Sequence, residues 1–89
     1  MKIHKYVFPS ELSGEIYNVD LPVGSKILST QIQHDVVTMW YSVPDITIDT
    51  SCYRFAFYTT GYDTIPMTAK YINTFQFNNG NFVLHLFEL

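Results

Sequence analysis

The chain has 89 residues, 47% hydrophobic and 17% aromatic, with five basic and eight acidic side chains for a net charge of −3. That length fits a single domain spanning residues 1–89, and the apolar content excludes a disordered chain. Five cations are too few to neutralise the phosphates of a long nucleic acid, and the lone Cys52 excludes an intramolecular disulfide.

Taken in order, Lys2–Phe8 reads as a strand stopped by Pro9, and Ser10–Gly14 as a turn. Glu15–Leu21 is a second strand, and Pro22-Val23-Gly24-Ser25 a second turn. Lys26–Gln33 is a third strand, followed by a two-residue corner at His34-Asp35. Val36–Val43 is a fourth strand, ended by Pro44, and Asp45–Thr50 reads as a short edge strand. Tyr53–Thr60 is the clearest strand of all, broken by Gly61-Tyr62-Asp63. Thr64–Lys70 has the capping pattern of one helical turn, with Pro66 near its first position. Tyr71–Phe77 and Phe82–Leu89 flank Asn78-Asn79-Gly80-Asn81. Asn-Gly tolerates positive φ at both centres of a type I′ turn, so this stretch reads as a hairpin turning at Asn79-Gly80. Turn signals roughly every 8–12 residues mark an all-β chain, a small antiparallel sandwich or barrel of about 6–7 strands with a C-terminal hairpin.

Strand period assigns faces. Tyr53, Phe55 and Phe57 share one face, with Arg54, Ala56 and Tyr58 on the other. Tyr71, Asn73, Phe75 and Phe77 oppose Ile72, Thr74 and Gln76. Val36–Val43 and Phe82–Leu89 are apolar on both faces. One Trp, seven Tyr and seven Phe are many for a core this small. Together these features predict a homo-oligomer.

Met1-Lys2-Ile3-His4-Lys5-Tyr6 is not followed by the apolar stretch of a signal peptide. The uncharged run Met39–Pro44 is far too short to span a bilayer. The expected setting is the cytoplasm, with no membrane partner.

Nucleophile elbows, phosphate loops and dinucleotide fingerprints are absent from the sequence. His4, His34 and His85 lie outside metal-ligand spacing of one another and of Cys52. The expectation is therefore a protein that is not an enzyme and takes no metal or cofactor. Arg54, the only arginine, is placed to stack on Tyr58 or Trp40 and to grip a carboxylate or phosphate. A structural ion pair is its competing role. Lys26 is a second candidate cation, and the following loop adds Thr60 and Tyr62. His85 sits in an otherwise apolar strand and needs a polar partner if buried. These residues, Arg54, Trp40, Tyr58, Thr60, Tyr62, His85 and Lys26, form the candidate ligand set.

Several segments together resemble a group of small phage- and prophage-encoded proteins of unknown function. They are the opening Met1-Lys2-Ile3-His4-Lys5-Tyr6, then Leu21-Pro22-x-Gly24-Ser25-Lys26-Ile27-Leu28-Ser29 with Gln31 and Gln33, and Met39-Trp40. Thr60-Gly61 before Ile65-Pro66, Thr74 with Gln76, and the closing Phe82-Val83-x-His85-x-Phe87-Glu88 complete the set. The chain departs from that group by lengthening His34–Arg54 with aromatics and by carrying Tyr62 where its relatives tend to carry His. The resemblance implies a viral origin and action in the bacterial cytoplasm, and it supplies no catalytic residues. Within that setting the expected function is non-enzymatic sequestration of a small anionic nucleotide, as an anti-defence protein. The alternative is a protein-interaction inhibitor or structural accessory that docks a host or phage protein.

Overall fold

In the computed structural model, residues 1–12, 14–61 and 64–89 are described. They form seven strands: β1 (Lys2–Val7), β2 (Tyr17–Pro22), β3 (Lys26–Gln33), β4 (Val36–Val43), β5 (Thr50–Thr59), β6 (Lys70–Phe77) and β7 (Phe82–Glu88). All pairings are antiparallel, in a three-stranded sheet of order β1-β4-β3 and a four-stranded sheet of order β2-β5-β7-β6. The two sheets stack as a sandwich, the first of the two architectures the turn spacing allows.

Alternation along each strand builds the core between the sheets. Val37, Met39, Tyr41 and Val43 of β4 face Val19, Leu21, Phe55, Phe57, Phe75, Leu84 and Leu86 of the other sheet. Phe8, just past β1, donates its amide to the Val37 carbonyl at 2.9 Å and turns its ring inward. It meets Tyr6, Tyr17, Phe55 and Phe57 edge-on at centroid distances of 5.0–5.9 Å, the geometry the ring quadrupole favours.

The apolar second faces of β4 and β7 answer to their position. Each is an interior strand with a neighbour on both edges. On the outer side of β4, Thr38 and Ser42 are buried beneath flanking side chains.

The structure moves several sequence expectations. Asp45–Asp49 is not a strand. The chain there crosses the end of the sandwich, and β5 begins at Thr50. Thr64–Lys70 holds no helix. Its ordered feature is a β-turn in which the Ala69 amide donates to the Pro66 carbonyl at 3.0 Å. The terminal hairpin forms, but its last pair is Phe77–Phe82, so the loop has four residues rather than two. Asn78, Asn79 and Gly80 all have positive φ, and two overlapping turns close it, Gly80 N–H to Phe77 C=O and Asn81 N–H to Asn78 C=O, each 3.1 Å. His34 and Asp35 also have positive φ, at 52° and 65°, which makes their corner a tight primed turn.

In β6 the register shifts between Tyr71 and Asn73. This bulge sends Tyr71 to the outer face, 54% exposed, and brings Ile72 against the core. Strict alternation assigned both the other way, because an inserted residue inverts the phase of everything before it.

Candidate functional site

Two bulges face each other across one open side of the sandwich. The second lies in β3, between Ile27 and Ser29. The edges β3 and β6 belong to different sheets, so no backbone ladder joins them. Asn73 bridges them instead: its Nδ2 donates to the Thr30 carbonyl at 2.9 Å and to Thr30 Oγ1 at 3.0 Å. Around this tie lies a groove of about 780 Å³. Its polar lining includes Lys26, Lys70, Glu88, Tyr53, Tyr71 and Asn73. The Tyr53 hydroxyl donates to the Ser25 carbonyl at 3.2 Å, which fixes its ring in the floor.

The groove ends where sheet order is interrupted. β7 pairs with β5 only along Phe55–Thr59, and the Leu89 amide donates to the Arg54 carbonyl at 2.8 Å. Among the described residues no strand runs beside Thr50–Tyr53 on that edge. Peptide groups alternate sides along a strand. Because the Arg54 carbonyl faces β7, the amides and carbonyls of Cys52 and Thr50 face the same open edge. Pro22 pairs opposite Thr50, and its missing N–H is tolerated because that position makes no ladder bond to β5.

A second constellation lies on the outer face of the four-stranded sheet. The Thr60 hydroxyl meets His85 Nε2 at 2.8 Å, His85 Nδ1 meets Thr74 Oγ1 at 2.9 Å, and Thr74 Oγ1 meets the Tyr71 hydroxyl at 2.7 Å. Hydroxyls can donate or accept, so they satisfy a neutral imidazole in either tautomer. Beside this relay, Phe87 contacts Tyr58 and Tyr71 at centroid distances of 5.6 and 5.5 Å.

The structure divides the sequence-derived set. Tyr58, Thr60 and His85 share this outer face, and Arg54 lies on it too, exposed and four residues from Tyr58 along β5. That spacing is about 13 Å at the rise of an extended strand. Trp40 lies on the outer face of the other sheet, so a Trp40–Arg54 stack does not form. Lys26 lines the groove, and Tyr62 falls outside the described residues. The fold adds Lys70, Tyr53, Asn73 and Glu88 to Lys26 in the groove. The cross-strand pairing of Lys70 with Glu88 puts both at one end of the groove. Among the described residues no three of His, Cys, Asp and Glu gather into a metal-holding group. No described helix is long and apolar enough to cross a membrane.

No curated protein and no solved structure matches the chain. The model of a family described as a domain of unknown function (DUF7352) matches residues 1–89, and the chain belongs to that family.

Proposed function

We propose that the protein is a non-catalytic binding module that holds a small anionic, nucleotide-type molecule in the groove between β3 and β6. The supporting observation is the convergence of Lys26 and Lys70, two of only five basic residues, on one groove floored by Tyr53. Ammonium groups on opposite rims suit a phosphate, and the Tyr53 ring offers stacking surface for a base. Glu88 on the same lining accepts hydrogen bonds and repels a second phosphate placed near it, which favours a ligand carrying hydroxyls such as a ribose. In the phage setting that the sequence resemblance implies, the role is to sequester a host nucleotide signal without cleaving it.

Calorimetric titration with ADP-ribose, cyclic dinucleotides and inorganic phosphate, with chromatography of the recovered ligand, tests this. Lys26→Ala and Lys70→Ala should each weaken binding about tenfold, near 1.4 kcal/mol, and the ligand should be recovered intact. Arg54→Ala, on the outer face, should leave affinity unchanged. Loss of binding in Arg54→Ala alone would move the site to the face carrying Tyr58 and His85.

A second reading rests on the open edge of β5 at Thr50 and Cys52. Amides and carbonyls that alternate along such an edge accept an added strand, so this edge, next to Tyr53 of the groove, also suits an extended polypeptide of a host or phage partner. Competition between a bound nucleotide and a captured peptide would separate the two readings.

A further inference from the structure

The segment joining β4 to β5 reads Asp45-Ile46-Thr47-Ile48-Asp49. The Thr47 hydroxyl shares its one proton between the Val23 carbonyl outside the segment and the Asp49 carbonyl within it, each at 3.3 Å. The Asp49 carbonyl also takes the Val23 amide at 2.9 Å. Thr47 is half-buried against the body of the protein, and its two neighbours are exposed. Ile46 and Ile48 are 91% and 95% exposed. Two fully hydrated isoleucines on a segment tied to Val23 by two hydrogen bonds form a displayed apolar surface rather than a loose loop.

Charge says what covers them. Carboxylates bracket the isoleucines on both sides. Next to them, the amino end of β1 carries the opposite charge: Ile3, 60% exposed, shares the outer face of its strand with Lys5, whose ammonium donates to Gln33 Oε1 at 3.2 Å, and Lys2 precedes it on the other face. The two halves adjoin on one protomer, because Lys2 pairs with Val43 at the end of β4 and the Met1 amino group lies against the Asp45 carboxylate. A surface carrying an acidic and a basic apolar half is complementary to itself. About a two-fold axis, each half meets the other half of its partner, and the contact closes as a dimer. We infer that this end of the sandwich is a homodimer interface, in which Ile46 and Ile48 of one copy pack on Ile3 of a second copy and the acidic segment of each lies against the basic end of β1 in the other. The inference is independent of what the groove binds.

Sedimentation across micromolar to millimolar concentration tests it. The wild-type mass should rise from 10.3 kDa toward twice that value, and added salt should oppose the rise because exposed charges are screened. Ile46→Ser with Ile48→Ser should hold the mass at 10.3 kDa while leaving the melting temperature unchanged at micromolar concentration, where the wild type is also a monomer. Ile48→Ser alone serves if the double variant fails to fold. Two charge reversals identify the partner: Lys2→Glu with Lys5→Glu in one protein, and Asp45→Lys with Asp49→Lys in another. Each should be monomeric alone, and mixing them should restore the dimer. A wild type that stays monomeric throughout overturns the inference. So does a dimer indifferent to both reversals, or a mixture that remains monomeric.

Discussion

Gly24 and Gly80 share a φ of +86° but differ in what surrounds them. A Cβ on Gly24 would lie 2.9 Å from Cγ of Pro44, a rigid ring, whereas one on Gly80 would lie 3.2 Å from Oε1 of Gln76, the free end of a flexible side chain. Both substitutions impose the left-handed backbone on a side chain, a cost of about 1 kcal/mol or more. Gly24→Ala adds a clash that only movement of Pro44 relieves, so its loss should reach about 2–3 kcal/mol, against about 1 kcal/mol for Gly80→Ala. Urea unfolding of both variants gives the order, and a larger loss at Gly80 would show that the Pro44 ring yields freely. Sequence alone marks both glycines as turn residues. The Pro44 contact is not legible there, because it joins residues twenty apart in sequence that meet only once β3 and β4 pair, Lys26 opposite Ser42, and bring their outer ends together. His85 follows the same pattern: its need for a polar partner is legible, but Thr74 and Thr60 come from another strand and a distant loop.

At the level of the element, the strand period predicts β3 and β4 with their observed bounds, since each run is continuous between unambiguous turn residues. It fails where a bulge inserts a residue, as at Tyr71 and Ile72, and no local signal distinguishes that bulge from regular alternation. The β3–β4 corner is the element most open to improvement. His34 and Asp35 both hold positive φ without being glycine, and left-handed backbone costs an ordinary residue about 1–2 kcal/mol. Replacing them by Asn-Gly, the pair best suited to a type I′ turn, should raise stability by about 1 kcal/mol, part of the strain relief being lost to the greater freedom of glycine in the unfolded chain. A thermal melt that falls instead would mean that the His34 or Asp35 side chain makes a stabilising contact that outweighs the backbone strain.

Across the whole molecule, the sequence predicts an all-β fold of about the right strand number but not which sheet each strand joins. Sheet membership is decided by contacts between residues far apart in the chain, and the groove is its product. Lys26 and Lys70 converge only because β3 ends one sheet and β6 ends the other. Asn73 holds that seam across a sequence separation of 43 residues. Its second anchor is local, since its Oδ1 accepts the Thr74 amide at 2.8 Å. Asn73→Ala removes both contacts and leaves the Thr30 carbonyl and hydroxyl, in a buried residue, without their donor. A buried acceptor deprived of its partner costs about 1–3 kcal/mol, and unfolding by urea should show a loss in that range. The loss should also be local. Amide hydrogen exchange should accelerate along β3 and β6, which no backbone ladder connects, while β4 and β5 retain their protection. Stability within about 0.5 kcal/mol of wild type, with unchanged exchange at both edges, would mean that core packing alone closes the seam and that the groove walls stand without Asn73.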